Sequence, residues 1–175
     1  MTPALALGFV LLLASGTGAP AKPPASKTKQ PAAARPVPPA PPASFTGHWK
    51  LDVAASAHGG ARVPRLRTED IVEDGAWIAV HEVIIRDDDD TTSLDYRYRT
   101  DGESVNKVAG QEVRTKGSRE GAALKFESVA KILMLDVKQV ERWSLADSAA
   151  TLTMERDSRT PLGQQQQRLV FRRTH

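Results

Sequence analysis

Cysteine is absent from all 175 residues. That excludes disulfides, thiolate metal ligands and a thiol nucleophile together. It also excludes a lipid-anchored lipoprotein, which needs a cysteine after its leader. The folded part must therefore be held by its apolar core. Acidic residues are missing from the first 44 positions, where the only charges are Lys22, Lys27, Lys29 and Arg35. Removing those four leaves 20 basic against 21 acidic residues from Ser44 onward, a net of −1. The pI of about 9.3 thus belongs to the tail and not to the fold. A nucleic-acid-binding domain normally shows a basic face of its own, so no nucleic-acid partner is expected.

Long apolar runs are missing too. The longest, Ala4–Ala14, has eleven residues, too short for a comfortable membrane span and the right length for the apolar region of a signal peptide. Ala19-Pro20-Ala21 before Lys22 supplies a small-residue cleavage site. Residues 1–21 are read as a signal peptide, with no integral span after cleavage and a secreted or periplasmic destination. Residues 22–43 read as a disordered linker rich in Pro, Ala and Lys. Proline fixes φ and removes backbone donors, which favours extended polyproline II over packing. At ~3.1 Å per residue the tract from Pro20 reaches on the order of 70 Å. Its four cations suit a spacer in weak contact with an anionic envelope surface.

What remains, residues 44–175, shows alternation at a period of two and frequent turn dipeptides, with no convincing helical period. Asp74-Gly75, Asp101-Gly102 and Thr160-Pro161-Leu162-Gly163 mark turns. Between them Ile78/Val80/Ile84, Leu94/Tyr96/Tyr98 and Leu124/Phe126 share faces. The pattern predicts eight to ten strands, nearly all joined by short turns. A twisted meander of that length leaves open edges unless it closes, so an all-β, antiparallel up-and-down barrel is expected, with a β-sandwich as the alternative.

The first strand carries Gly47-His48-Trp49, similar to the G-x-W motif of lipocalins and the wider calycin group. In order, FTGHWKLDVAAS, YRTDGE, ERWSLADSAATLTMERD and PLGQQQQRLVFRR resemble small secreted bacterial lipocalin-like proteins, most of unknown function. The resemblance spans Phe45 to Arg173 and implies a barrel closed at one end by Trp49, stacked under an arginine of the last strand. Arg173 shares parity with Leu169 and Phe171 and is preferred to Arg172 for that role, with Gly47 leaving the space.

One hairpin register follows from the residues alone. With Leu145 opposite Leu152, Trp143 faces Met154 and Glu141 faces Arg156, on a shared face. Glu141 and Arg156 then lie inside the barrel, with Gln139 one step along. They are read either as an internal salt bridge or as the polar anchor of a pocket lined by Tyr96, Tyr98, Phe126 and Trp143.

Other constellations carry less. Asp87–Asp90 lacks the glycine and spaced glutamate of a calcium loop and is read as a solvated break between strands. His48, His58, His81 and His175 show no ligand spacing, so no metal is expected. No nucleophile elbow, phosphate loop or zinc motif is present, so no catalytic residue and no cofactor are assigned and the chain is read as a non-enzyme. The leading expectation is an exported barrel binding a small apolar or amphipathic ligand. The alternative is a non-binding envelope protein with a side-chain-filled barrel.

Overall fold

The computed structural model describes residues 43–87, 90–132 and 135–174. The expected signal peptide, all but the last residue of the linker, Asp88, Asp89, Leu133 and His175 lie outside them. Ten strands follow one another: β1 (Gly47–Leu51), β2 (Leu66–Asp74), β3 (Trp77–Ile85), β4 (Thr91–Arg99), β5 (Glu103–Val108), β6 (Gln111–Glu120), β7 (Ala123–Ile132), β8 (Leu135–Ala146), β9 (Thr151–Thr160) and β10 (Gly163–Thr174). They form one antiparallel sheet in the order β4-β3-β2-β1-β10-β9-β8-β7-β6-β5. No helix among the described residues is long and apolar enough to cross a membrane.

The sheet is a nearly closed barrel, not a sandwich. Its first and last strands in that order, β4 and β5, are consecutive in sequence but share no ladder. Side chains bridge the seam instead. The Asn106 carboxamide accepts from Arg97 N at 2.8 Å and donates to Arg97 O at 2.9 Å, standing in for one peptide unit of a neighbouring strand. Farther along, Gly117 N donates to Gly102 O at 2.8 Å. Gly117 is required there, because an added Cβ would lie 1.7 Å from Arg99 O.

The last two strands run past their apolar residues. β9 extends to Thr160, and β10 begins at Gly163, so the glutamine run 164–167 pairs with β9 and is not part of the turn. Gln165 and Gln167 donate to the carbonyls of Gly59 and His58, at 3.1 Å each. They hold the β1–β2 connection (residues 52–65) against β10. Polar ladder residues of this kind carry no periodic apolar signal, which is why the alternation stops short of them.

The two ends of the barrel differ. The β2–β3, β4–β5, β6–β7 and β8–β9 connections lie at one end, with the entry of β1 and the exit of β10. Large side chains fill that half: Phe45, Trp49, Ile71, Ile78, Leu124, Phe126, Trp143, Leu152, Met154, Leu169 and Phe171 are all essentially inaccessible to solvent. The other half carries the β3–β4, β5–β6, β7–β8 and β9–β10 turns, and its inner wall is made of smaller or polar residues.

Candidate ligand cavity in the barrel

The half-empty end holds an interior cavity of about 310 Å³. Ile84, Leu94, Val108, Val113, Ala130 and Val137 form apolar walls. Those six come from β3, β4, β5, β6, β7 and β8, each placed inward by the same alternation that builds the core. The polar part of the lining is Arg67, Glu82, Tyr96, Tyr98, Ser128, Gln139, Glu141 and Arg156. It sits where the cavity meets the packed half.

Two charged groups meet there. On one side the β8–β9 register pairs Glu141 with Arg156, Trp143 with Met154 and Leu145 with Leu152, as the parity of the hairpin implied. Glu141 Oε1 accepts from Arg156 Nε at 2.7 Å and Gln139 Nε2 at 2.8 Å, with Arg156 Nη2 at 2.6 Å. Its Oε2 accepts from Trp143 Nε1 at 3.0 Å. Ser158 donates to Gln139 Oε1 at 3.1 Å and fixes that amide. Glu141 is thus buried with both carboxylate oxygens hydrogen-bonded, the condition under which a buried carboxylate is tolerated.

On the other side lies a second group that alternation alone did not single out. Arg67 and Glu69 on β2 and Glu82 on β3 are all buried, Glu69 completely. Glu69 Oε1 accepts from Arg67 Nε at 3.0 Å and Nη2 at 2.7 Å. Glu82 Oε1 lies 3.1 Å from the same Nε. The Tyr96 hydroxyl lies between the two carboxylates, 3.3 Å from Glu69 Oε2 and 3.4 Å from Glu82 Oε2. The signal was present in the parity: Arg67 and Glu69 step in register with Ile71, and Glu82 with Ile78 and Val80.

Of the residues singled out from the sequence, Tyr96, Tyr98, Gln139, Glu141 and Arg156 line the cavity. Phe126 and Trp143 do not. They lie beneath it in an aromatic floor, with Tyr98–Phe126 centroids 4.7 Å and Phe126–Trp143 centroids 5.1 Å apart. Tyr96 extends the row, 5.0 Å from Tyr98. At the far end of the packed half, Arg173 sits over Trp49 with its guanidinium carbon 4.4 Å from the ring centroid. Gly47, at φ +150°, makes room for it: a Cβ there would lie 2.8 Å from Arg173 Nη1.

This architecture is known from crystal structures. A secretory abundant heat soluble protein from Ramazzottius varieornatus superposes with a TM-score of 0.50 over 74% of this chain and 95% of its own, at 14% identity. The barrel is calycin-like. Zebrafish ileal bile acid-binding protein complexed with cholic acid (TM-score 0.49, 11% identity, 74% of this chain and 98% of its own) has a similar barrel. So does a Schistosoma mansoni fatty acid binding protein in complex with arachidonic acid (TM-score 0.48, 13% identity, 75% and 96%). No family model matches the sequence, and no curated protein matches it closely.

Burial sets the protonation states inside this calycin-like barrel. It pushes the Glu69 carboxyl up to about 7; Arg67 opposes that shift and Glu82 adds to it. Burial, reinforced by Glu69 and Glu82, raises the Tyr96 hydroxyl well above its usual value. Burial and Glu141 do the same for Tyr98. Both tyrosines therefore face the cavity as neutral hydroxyls. Burial works to lower the Arg156 value, but Glu141 and Glu82 beside it raise it above the usual one, so the guanidinium stays charged. No group of three or more metal-ligating side chains occurs among the described residues.

Proposed function

We propose that this barrel binds a small, partly apolar molecule in its interior and acts as a carrier or receptor, not as a catalyst. The observation that carries the reading is the cavity itself. At about 310 Å³ it reaches the lower range of small-molecule sites, and its few polar groups converge at one end of apolar walls. A side-chain-filled barrel, the competing reading, would bring large residues to Val108, Val113, Ala130 and Val137 and leave no such space. Against catalysis, the Glu141 carboxylate is held by Arg156, Gln139 and Trp143, which suits an anchor better than a general acid.

We further propose that the protein works outside the cytoplasm. The apolar run Ala4–Ala14 and the Ala19-Pro20-Ala21 site support export. The basic, proline-rich tract supports a spacer in weak contact with an anionic envelope surface.

Native mass spectrometry of protein purified from its own host's envelope tests the binding reading. A co-purifying small molecule is expected on the wild-type barrel and should be lost from Tyr96→Ala and from Ala130→Phe, which fills the cavity. Apoprotein alone in all three spectra would sink it.

A further inference from the structure

We infer that the ligand's polar head is a cationic hydrogen-bond donor, an alkylammonium or amidinium, and that Glu82 receives it. This rests on reading the cavity as a ligand site and adds the chemistry of the head group. The first ground is charge. The cluster at the cavity floor contains two guanidiniums, Arg67 and Arg156, against three carboxylates, Glu69, Glu82 and Glu141. Above the raised Glu69 value all five are ionised, and the floor then carries one uncompensated negative charge.

The second ground is hydrogen-bonding capacity. Both oxygens of Glu141 accept from protein donors, and Glu69 takes two bonds from Arg67, at 3.0 and 2.7 Å. Glu82 is the carboxylate left over. The single hydrogen on Arg67 Nε is already directed at Glu69, so its approach to Glu82 at 3.1 Å supplies charge and little bonding. Tyr96 has one hydroxyl proton to share between Glu69 and Glu82, and both distances are long. The Glu82 side chain is 8% exposed and lines the cavity. An ionised carboxylate in that position has few protein donors. A ligand ammonium supplies the missing donors and the missing positive charge in one group.

The same arrangement counts against an anionic head. A ligand carboxylate would enter as a fourth negative group, facing two guanidiniums that are already engaged by protein carboxylates. The apolar walls accept a hydrocarbon tail with either head, so the discrimination resides in the floor.

The test uses three octyl compounds of matched length, octylamine, octanol and octanoate, titrated into the purified full-length protein at about pH 8.5, above the raised Glu69 value. An alkylamine is then charged, as a lysine side chain is. Octylamine should bind about tenfold or more tighter than octanol, and octanoate weakest of the three. In Glu82→Gln the octylamine preference should fall to near parity with octanol, while octanol binding persists and reports an intact cavity. Tightest binding by octanoate, or an undiminished amine preference in Glu82→Gln, would overturn the inference while leaving the cavity a binding site. Failure of all three compounds to bind the wild-type protein would overturn the binding reading itself.

Discussion

Arg173 closes the packed end of the barrel by stacking on Trp49 and donating to three backbone carbonyls at once: Ala149 at 2.9 Å, Thr46 at 2.7 Å and Ser44 at 3.0 Å. Trp49 returns a bond of its own, from Nε1 to Phe45 O at 2.9 Å. One guanidinium thus ties the chain before β1, the β8–β9 turn and the last strand together over a buried indole. Trp49→Ala should lower stability by about 3–5 kcal/mol. Chemical denaturation measures this, and an unchanged midpoint would refute the role.

Arg173→Lys keeps the charge but loses the flat guanidinium and its fixed spread of donors. It should cost roughly 1–3 kcal/mol, from the lost stack and at least one stranded carbonyl. A lysine that restored full stability would show that charge alone suffices there.

The Asn106 carboxamide predicts where the barrel opens first. Asn106→Ala removes both bonds across the β4–β5 seam and leaves Arg97 N and O without those partners. The expected cost is about 1–2 kcal/mol. Faster amide exchange should be confined to β4 and β5. Equal acceleration in β8 and β9 would mean that the seam is not a local unit.

Gly117→Ala tests the close approach on the other side of that seam. The new Cβ would meet Arg99 O at 1.7 Å and Phe126 Cε1 at 3.1 Å. Neither a backbone carbonyl nor a ring that is 1% exposed can yield without moving its strand. A loss of about 1–3 kcal/mol is expected, read as a drop in melting temperature.

The Glu69 carboxyl predicts a pH dependence with a definite sign. Its folded value, about 7, lies above the ordinary 4.5. Between those two values the native state holds a proton that the unfolded chain has released. Stability contributed by this group is therefore greatest in acid, falls as pH rises through that window, and levels off above it. Glu69→Gln should flatten the slope in denaturation curves taken across the window. A wild-type curve that rises there, or a variant that keeps the slope, would contradict the assignment.

Much of this was legible before folding. Alternation with apolar residues establishes that a segment is a strand and which parity faces inward, because the apolar side must leave water. That sufficed to pair Glu141 with Arg156 through the two apolar pairs beside them. It also sufficed to choose Arg173 over Arg172 from the parity of Leu169 and Phe171. The acidic run resolved as a strand break in its described part, where Arg86 Nη1 holds Asp90 at 2.6 Å across the β3–β4 turn.

Other features had no local signature. On its own strand, Glu82 after Val80 reads as an interruption of the pattern; the partner of Glu69, Arg67, stands two residues before it, and the β2–β3 hairpin brings Glu82 to that pair. Closure joins that group to the one on β8 and β9: β2, β3, β4, β8 and β9 bring Arg67, Glu69, Glu82, Tyr96, Glu141 and Arg156 to one floor. Closure likewise decides that Phe126 and Trp143 pack below the cavity and do not line it, and that Gln165 and Gln167 turn inward to hold the β1–β2 connection. By itself the sequence determined the strands, their inward faces and one hairpin register, since those depend on neighbours along the chain. The tertiary structure alone decided which half is hollow and which charge is left over, since volume and charge balance depend on side chains far apart in sequence.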